Sequence, residues 1–322
     1  MIPGLIISIL LLSLVLIKAA DMVIVAIRRI AREVHAGIFT VAAIILALGT
    51  SLPELFVGIT SALEGTPSLA FGVILGSNIA NIALIGGVSA LFIGKVHVKD
   101  YLNKDVWVSL FAAIAPLFLA LDKSISSVDG LILVMIYFAY ATGFFKRRYE
   151  EIGKARAEES FVYRFMREFK YVESVRKKEF IKLFLGLAVL LFSADTIVKL
   201  SSQLATLANI PVFLIGLFVL AIGTSLPEFV FSIRSLEDHE PRMFFGNLLG
   251  STITNSTLII GVTTLISPLR IEDFSEYIVA VLAFFAVFFL FWFFIKSKHR
   301  LDRWEAAVLV LLYATFVAIE LL

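Results

Sequence analysis

Residues 49–54 read GTSLPE, and residues 223–228 read GTSLPE again. Each copy is a polar hexapeptide set in an apolar run, and the reading of that pair decides the fold. Shifted by 174 residues, the distance from Gly49 to Gly223, the chain lands on itself. Asp21 meets Asp195, Gly72 meets Gly246, and Gly76-Ser77 meets Gly250-Ser251. Asn81 meets Asn255, Leu84 meets Leu258, and Gly87 meets Gly261. No gap is needed from Asp21 to Gly87, a match too long and too regular for coincidence. An internal repeat of this kind defines the architecture before any single element does.

The surrounding composition says what is being repeated. Of 322 residues, 60% are hydrophobic and 17% charged, and the mean hydropathy is +0.96. A soluble domain would be about a quarter charged. Apolar stretches of about 20 residues recur, each long enough to cross a bilayer. The chain therefore reads as an all-α polytopic membrane protein of about ten transmembrane helices. Their limits are near 3–26, 37–64, 68–94, 104–121, 124–145, 181–206, 210–236, 243–268, 276–296 and 303–321. Residues 1–145 hold the first five spans, 146–180 form a polar linker, and 181–322 hold the second five. Five is odd, so the second copy crosses in the opposite sense. That gives inverted-topology repeats, the plan of many secondary transporters. Spans four, five, nine and ten are almost purely apolar and read as scaffold facing lipid, the run FFAVFFLFWFF at 284–294 included. The start, MIPGLIISILLLSLVLIKAAD, lacks a basic stretch before its apolar run and a small-residue cleavage site. It reads as a retained first helix.

Charge distribution orients the chain. Basic residues gather on the odd-numbered loops: Arg28, Arg29 and Arg32, then Lys95, Lys99 and Lys104, then the 146–180 segment, then Arg234 and Arg242, then Lys296, Lys298, Arg300 and Arg303. The even loops carry little beyond Lys123 and Arg270. By the positive-inside rule this is a cell-membrane protein with 146–180 cytoplasmic and both termini external. In that segment Phe161, Phe165, Phe169 and Val172 recur at helical spacing among basic residues. It reads either as an amphipathic helix on the anionic leaflet or as a solvated linker. Lys18 with Asp21, and Asp195 with Lys199, sit at pairing distance along their helices and read as local ion pairs.

Several chemistries are excluded. A net charge of +2 points to no nucleic-acid partner. The absence of cysteine removes disulfides, thiolate metal sites and thiol redox chemistry. An intramembrane aspartyl protease lacks its motifs here, and a Ser/His dyad lacks a His at membrane depth. What remains at depth is Glu54, about 17 residues into its span, and Glu228, placed alike. A carboxylate in a bilayer costs several kcal/mol, and two together repel unless a cation or protons lie between them. No Lys or Arg lies at comparable depth in these spans. Pro53 and Pro227 have no N–H, so the carbonyls of Gly49 and Gly223 lose their helical partners. Loose carbonyls survive in a membrane only when buried in protein or lining a wet cavity. Thr50 and Glu54, Ser77 and Asn81, Thr224 and Glu228, and Ser251 and Asn255 are each four apart and share a helical face. Every candidate ligand is oxygen, a set that suits Ca²⁺ or Na⁺ over zinc or copper. The chain reads as an ion transporter, not an enzyme. It needs no cofactor, meets only ions and membrane lipids, and shows no obligate protein partner; a passive channel stays physically open.

GTSLPE followed by GSNIAN, and GTSLPE followed by GSTITN, resemble the two alpha-repeats of the sodium/calcium exchangers of the cation/calcium antiporter superfamily, prokaryotic type. The resemblance covers essentially the whole chain. It implies an antiporter that exchanges sodium for calcium by alternating access, with ions held between the repeats. A calcium/proton or potassium-dependent antiporter is the alternative within the superfamily. Carried over by residue, it implies a calcium site of Glu54 and Glu228 with the carbonyls of Thr50 and Thr224. It implies sodium sites of Ala47 (carbonyl), Ser51 and Ser77 in one half, and Ala221 (carbonyl), Thr224, Ser225 and Ser251 in the other. Asn81 and Asn255 would line the centre. Some microbial relatives and the potassium-dependent branch have Asp where this chain has Asn255, so the centre here holds two carboxylates, not three. Thr252 replaces the Asn of the second GSN, and the GNxxE-type motif of the proton-coupled branch is missing.

Overall fold

A computed structural model describes residues 2–33, 51–94, 96–97, 102–153, 177–237, 239, 241–271, 274–298 and 300–320. It is helical, with four two-residue strands. Among the described residues six helices are long and apolar enough to cross a membrane: Ile2–Val23, Pro67–Ile93, Lys178–Ala208, Val212–Glu237, Met243–Ile266 and Tyr277–Ser297. Leu52–Leu63, Trp107–Asp122 and Ser127–Thr142 are shorter apolar helices.

In chain order, α1 is Ile2–Glu33 and α2 Leu52–Leu63; α3 (Pro67–Ile79) runs through a π-helical turn, Ala80–Gly86, into α4 (Gly87–Ile93). Then come α5 (Leu102–Leu119), α6 (Ser127–Gly153) and α7 (Lys177–Ala208). A helix of Val212–Leu214, a π turn at Ile215–Leu220 and α8 (Ala221–Thr224) lead to α9 (Leu226–Glu237). Next, α10 (Pro241–Ile253) passes through a π turn, Thr254–Ile259, into α11 (Ile260–Ile266). Last are α12 (Ser275–Lys298) and α13 (Arg303–Glu320).

Several boundaries differ from those read in the sequence, each for a local reason. The fifth span starts at Ser127, not at 124, because Ser126 caps it: its hydroxyl and N–H both donate to Asp129 Oδ2, at 2.6 and 2.8 Å. Residues 124–125 instead form a strand. The same helix continues to Gly153, into the stretch expected to be linker, because helix formation does not stop where apolarity does. The sixth helix begins at Lys177, four residues before its apolar part. Residues 154–176, with the proposed amphipathic face, lie outside the described residues.

Two apolar clusters organise the packing. One joins α1 to α7, through Ile9, Leu16, Ala19 and Val23 against Leu190, Ala194, Ile197 and Val198, and extends to Val57, Val73 and Ile215. Gly186 lets this pair close, since a Cβ there would meet Val23 at 2.7 Å. The larger cluster gathers α3, α4, α10, α12 and α13 around Phe213, Phe244, Phe245, Phe284 and Phe291. Here one expectation fails. Phe284, Phe288, Phe291 and Phe294 are buried, while Phe285, Phe289 and Phe293 are exposed. The phenylalanine-rich run thus has a protein face as well as an outward one. An all-apolar helix carries no polarity signal to tell the two apart.

The strands tie distant parts of the chain. Val96–His97 pairs antiparallel with Arg300–Leu301, and Ser124–Ile125 with Leu269–Arg270. Each ladder links a residue pair before the 146–180 segment to one after it. At the centre α3 lies backbone to backbone on the 215–220 turn. A Cβ on Gly72 would strike the Phe213 carbonyl, one on Gly76 the Leu217 carbonyl, and one on Gly216 the Leu69 carbonyl. Small residues at a crossing are how membrane helices gain dispersion contacts that lipid cannot supply.

Candidate functional site

The second hexapeptide sits at a helix break, and the described part of the first, Ser51–Glu54, opens a helix. Ser51 (φ −95°, ψ 10°) precedes α2, which carries Pro53 near its start and Glu54 in its first turn. Ser225 (φ −83°, ψ 3°) separates α8 from α9, which opens Leu226-Pro227-Glu228. Proline fits both places: lacking an N–H, it is tolerated at a helix start and breaks a helix interior. The consequence is electrostatic. Each glutamate stands at the N-terminal, positive end of a half-helix, an interaction worth about 0.3–1 kcal/mol and at most about 2.

That does not cover their burial. Glu54 is 1% exposed and Glu228 0%. A buried charge costs several kcal/mol even after relaxation, so the helix ends leave most of it uncompensated. Thr224 lies against the Glu54 carboxylate, but its hydroxyl donates to the Leu220 carbonyl at 3.0 Å. Among the described residues neither Glu54 oxygen has a hydrogen-bond donor.

The remaining candidates are also enclosed. Ser51, Ser77, Asn81, Ala221, Thr224, Ser225, Ser251 and Asn255 are all buried. Among the described residues the hydroxyls of Ser51, Ser77 and Ser225 have no partner, nor do the amide oxygens Oδ1 of Asn81 and Asn255. The two amide nitrogens are engaged across the molecule. Asn81 Nδ2 donates to Ser251 Oγ at 3.3 Å, and Asn255 Nδ2 to Asn78 Oδ1 at 3.3 Å. Asn78 Nδ2 in turn donates to Ser256 Oγ at 2.8 Å. The segments 51–54, 77–81, 224–228 and 251–256 therefore converge through Glu54–Thr224, Asn81–Ser251 and Asn78–Asn255 contacts. Thr50 and Ala47 lie outside the described residues.

Asn81 and Asn255 sit in the π turns Ala80–Gly86 and Thr254–Ile259. Such turns are rare and cluster at functional sites. Neither turn is legible in the sequence, because a single extra residue per turn leaves no compositional mark. Asn78 and Ser256 were likewise passed over. The one signal was the broken symmetry at Asn78 and Thr252, and at Ile82 and Ser256. Ser13 of α1 is a further neighbour: a Cβ on Gly223 would meet its hydroxyl at 3.1 Å, so that glycine seats α1 against the second hexapeptide.

Glu179 receives Arg29 at 3.0 Å and Lys182 at 3.3 Å. Lys199 pairs with Asp195 at 2.9 Å, as the spacing implied, and also with Glu64 at 3.4 Å. Among the described residues no Lys or Arg pairs with Glu54, and no three His, Cys, Asp or Glu gather as a metal centre. The site gathers buried carboxylate, hydroxyl and amide oxygens, the donor set that a hard cation takes.

Residues 4–146 and 178–322 match the family model described as sodium/calcium exchanger protein. The chain is 29% identical over 342 residues to the sodium/calcium exchanger MaX1 of Methanosarcina acetivorans, covering 97% of each. It is 27% identical over 309 residues to the uncharacterized membrane protein MJ0091 of Methanocaldococcus jannaschii, covering 96% of this chain and 95% of that one. A solved structure of the sodium-calcium exchanger NCX_Mj, soaked with 10 mM Na⁺ and zero Ca²⁺, aligns over 99% of both chains with a TM-score of 0.61 and 26% identity.

Proposed function

The chain belongs to the sodium/calcium exchanger family and is a multi-pass membrane antiporter of sodium and calcium; from that premise we propose that it works by alternating access between two inverted five-helix halves, 1–145 and 181–322. Calcium is held by Glu54 and Glu228 with the carbonyls of Thr50 and Thr224. Sodium is held by Ser51, Ser77 and the Ala47 carbonyl on one side. On the other it is held by Thr224, Ser225, Ser251 and the Ala221 carbonyl. Asn81 and Asn255 line the centre. The observation that carries this reading is the burial of Glu54, with both oxygens unpaired, beside Thr224 of the other half.

Two carboxylates are neutralised by one calcium ion, and the charge must be matched again by sodium before the empty site can be enclosed. This makes exchange obligatory: a vacant, doubly negative site is the costliest state to occlude. In the orientation favoured by the basic loops, 146–180 faces the cytoplasm and both termini face out. The site then lies near the bilayer midplane, reached from either side by rearranging the broken helices around it.

The test is radiolabelled calcium uptake into vesicles holding the purified protein. An outward sodium gradient is expected to drive uptake, and a proton gradient alone is not. Replacing external potassium by choline at fixed membrane potential is expected to leave uptake intact, because Asn255 supplies no third charge. Uptake that persists with no counter-ion would instead mark a channel.

A further inference from the structure

We infer that Asn78 is a positioning residue for exchange, holding the Asn255 amide so that its oxygen is offered to the ions; this rests on the site reading above. Asn78 is 1% exposed and Asn255 0%, and they come from helices in opposite halves of the chain. Asn255 Nδ2 donates to Asn78 Oδ1, and Asn78 Nδ2 donates to Ser256 Oγ. The remaining polar atom of Asn255, Oδ1, is buried and has no partner. An amide has one face that donates and one that accepts. Turning Asn255 alone would set its oxygen against the Asn78 oxygen and leave its N–H₂ facing the cations. It could turn only if Asn78 and the Ser256 hydroxyl reversed with it. The relay thus keeps the acceptor inward, where a cation can use it.

The relay exists once, not twice. The residue that the 174-residue shift sets against Asn78 is Thr252, whose hydroxyl is spent on the Leu248 carbonyl of its own helix at 2.9 Å. The residue set against Ser256 is Ile82, which has no polar atom on its side chain. Asn81 is therefore oriented differently, by Ser251. The mirror of that bond would tie Asn255 to Ser77. Asn255 Nδ2 donates to Asn78 instead, and among the described residues the Ser77 hydroxyl has no partner. One short bridge outside the ligand set thus orients one amide.

Sodium-driven uptake of radiolabelled calcium by the full chain in vesicles tests this. N78A is expected to raise the half-saturating sodium concentration about fivefold, with the maximum rate held within about twofold, as for loss of one oriented neutral ligand. N255A should give a similar shift, and N78A/N255A should be no worse than N255A alone, since the two act through one amide. A shift from N78A that persists undiminished in the N255A background would overturn the proposal, as would wild-type cation dependence in N78A. Should N78A not fold, S256A and S256T decide it: S256A should shift sodium dependence and S256T, which keeps the hydroxyl, should restore it. S256A behaving as wild type, or S256T behaving as S256A, would overturn it. Failure of the wild-type protein to couple sodium to calcium would defeat the functional reading itself, separately from these variants.

Discussion

At the scale of residues, function turns on which oxygens the protein has left unpaired. Glu54 holds two such oxygens at 1% exposure, and Glu228 occupies the matching place in α9. E54Q and E228Q keep shape but remove a charge, so a divalent ion loses what offsets its dehydration. Each is expected to lower sodium-driven calcium uptake by about 100-fold or more while the protein stays folded, a loss of roughly 2.7 kcal/mol or more. Wild-type rates in either variant would remove that residue from the site. Ser77 and Ser251 separate by the same logic. Ser77 has no protein partner, whereas Ser251 accepts from Asn81 and donates to the Leu248 carbonyl at 3.2 Å. S77A should therefore weaken sodium dependence without changing thermal stability. S251A should lower the melting temperature as well, because a buried Asn81 N–H₂ left unmet costs about 1–3 kcal/mol. Equal melting shifts in the two would contradict the asymmetry.

At the scale of elements, helices are interrupted where ligands are needed and closely packed where they are not. The helices that open at Leu52 and Leu226 carry the buried glutamates in their first turns, and the π turns put Asn81 and Asn255 at the crossing. These irregular segments are held by what surrounds them. A Cβ on Gly76 would meet the Leu217 carbonyl and, at 2.8 Å, Ala221 Cβ, and backbone cannot move aside as a side chain can. G76A is expected to destabilise by about 1–3 kcal/mol or more by overpacking and to impair exchange, since Ala221 carries a proposed ligand carbonyl. G4A, where a Cβ meets nothing within 4 Å, should leave the melting temperature in detergent at or above wild type. A G76A protein as stable as G4A would mean that the crossing can open to admit a Cβ at Gly76.

At the scale of the whole molecule, the two halves are joined by more than the segment between them. Two antiparallel ladders and the Asn78 relay bridge them, so movement of one half is felt by the other. Orientation follows from charge. A cysteine introduced at Ser160 should resist an impermeant thiol reagent in intact cells, and one near Leu322 should react; the reverse pattern would invert the protein. Coupling follows from charge as well. If more than two sodium ions exchange for one calcium, each turnover moves net charge, worth roughly 2.3 kcal/mol per elementary charge per 100 mV. Uptake should then respond to a potassium-valinomycin clamp, and indifference to voltage would set the ratio at two.

The membrane class, the doubled hexapeptide and the identity of the buried carboxylates were all legible in the chain. Each depends on local chemistry: apolarity decides what enters lipid, proline decides where a helix must break, and a charge at depth declares its own cost. GTSLPE at 49–54 and 223–228 says that much before any contact is known. The inner face of the 284–294 run could not be read, because lipid and protein interior are equally apolar solvents for phenylalanine. Nor could the extension of α6 to Gly153, where helix propensity outlasts hydrophobicity. Least legible was the difference between the halves. The repeat predicts two equivalent serines and two equivalent asparagines, yet Ser77 is left open while Ser251 is engaged, and Asn255 is held by Asn78. Only tertiary structure decides that, because which partner lies within reach of an amide depends on how helices far apart in the chain cross.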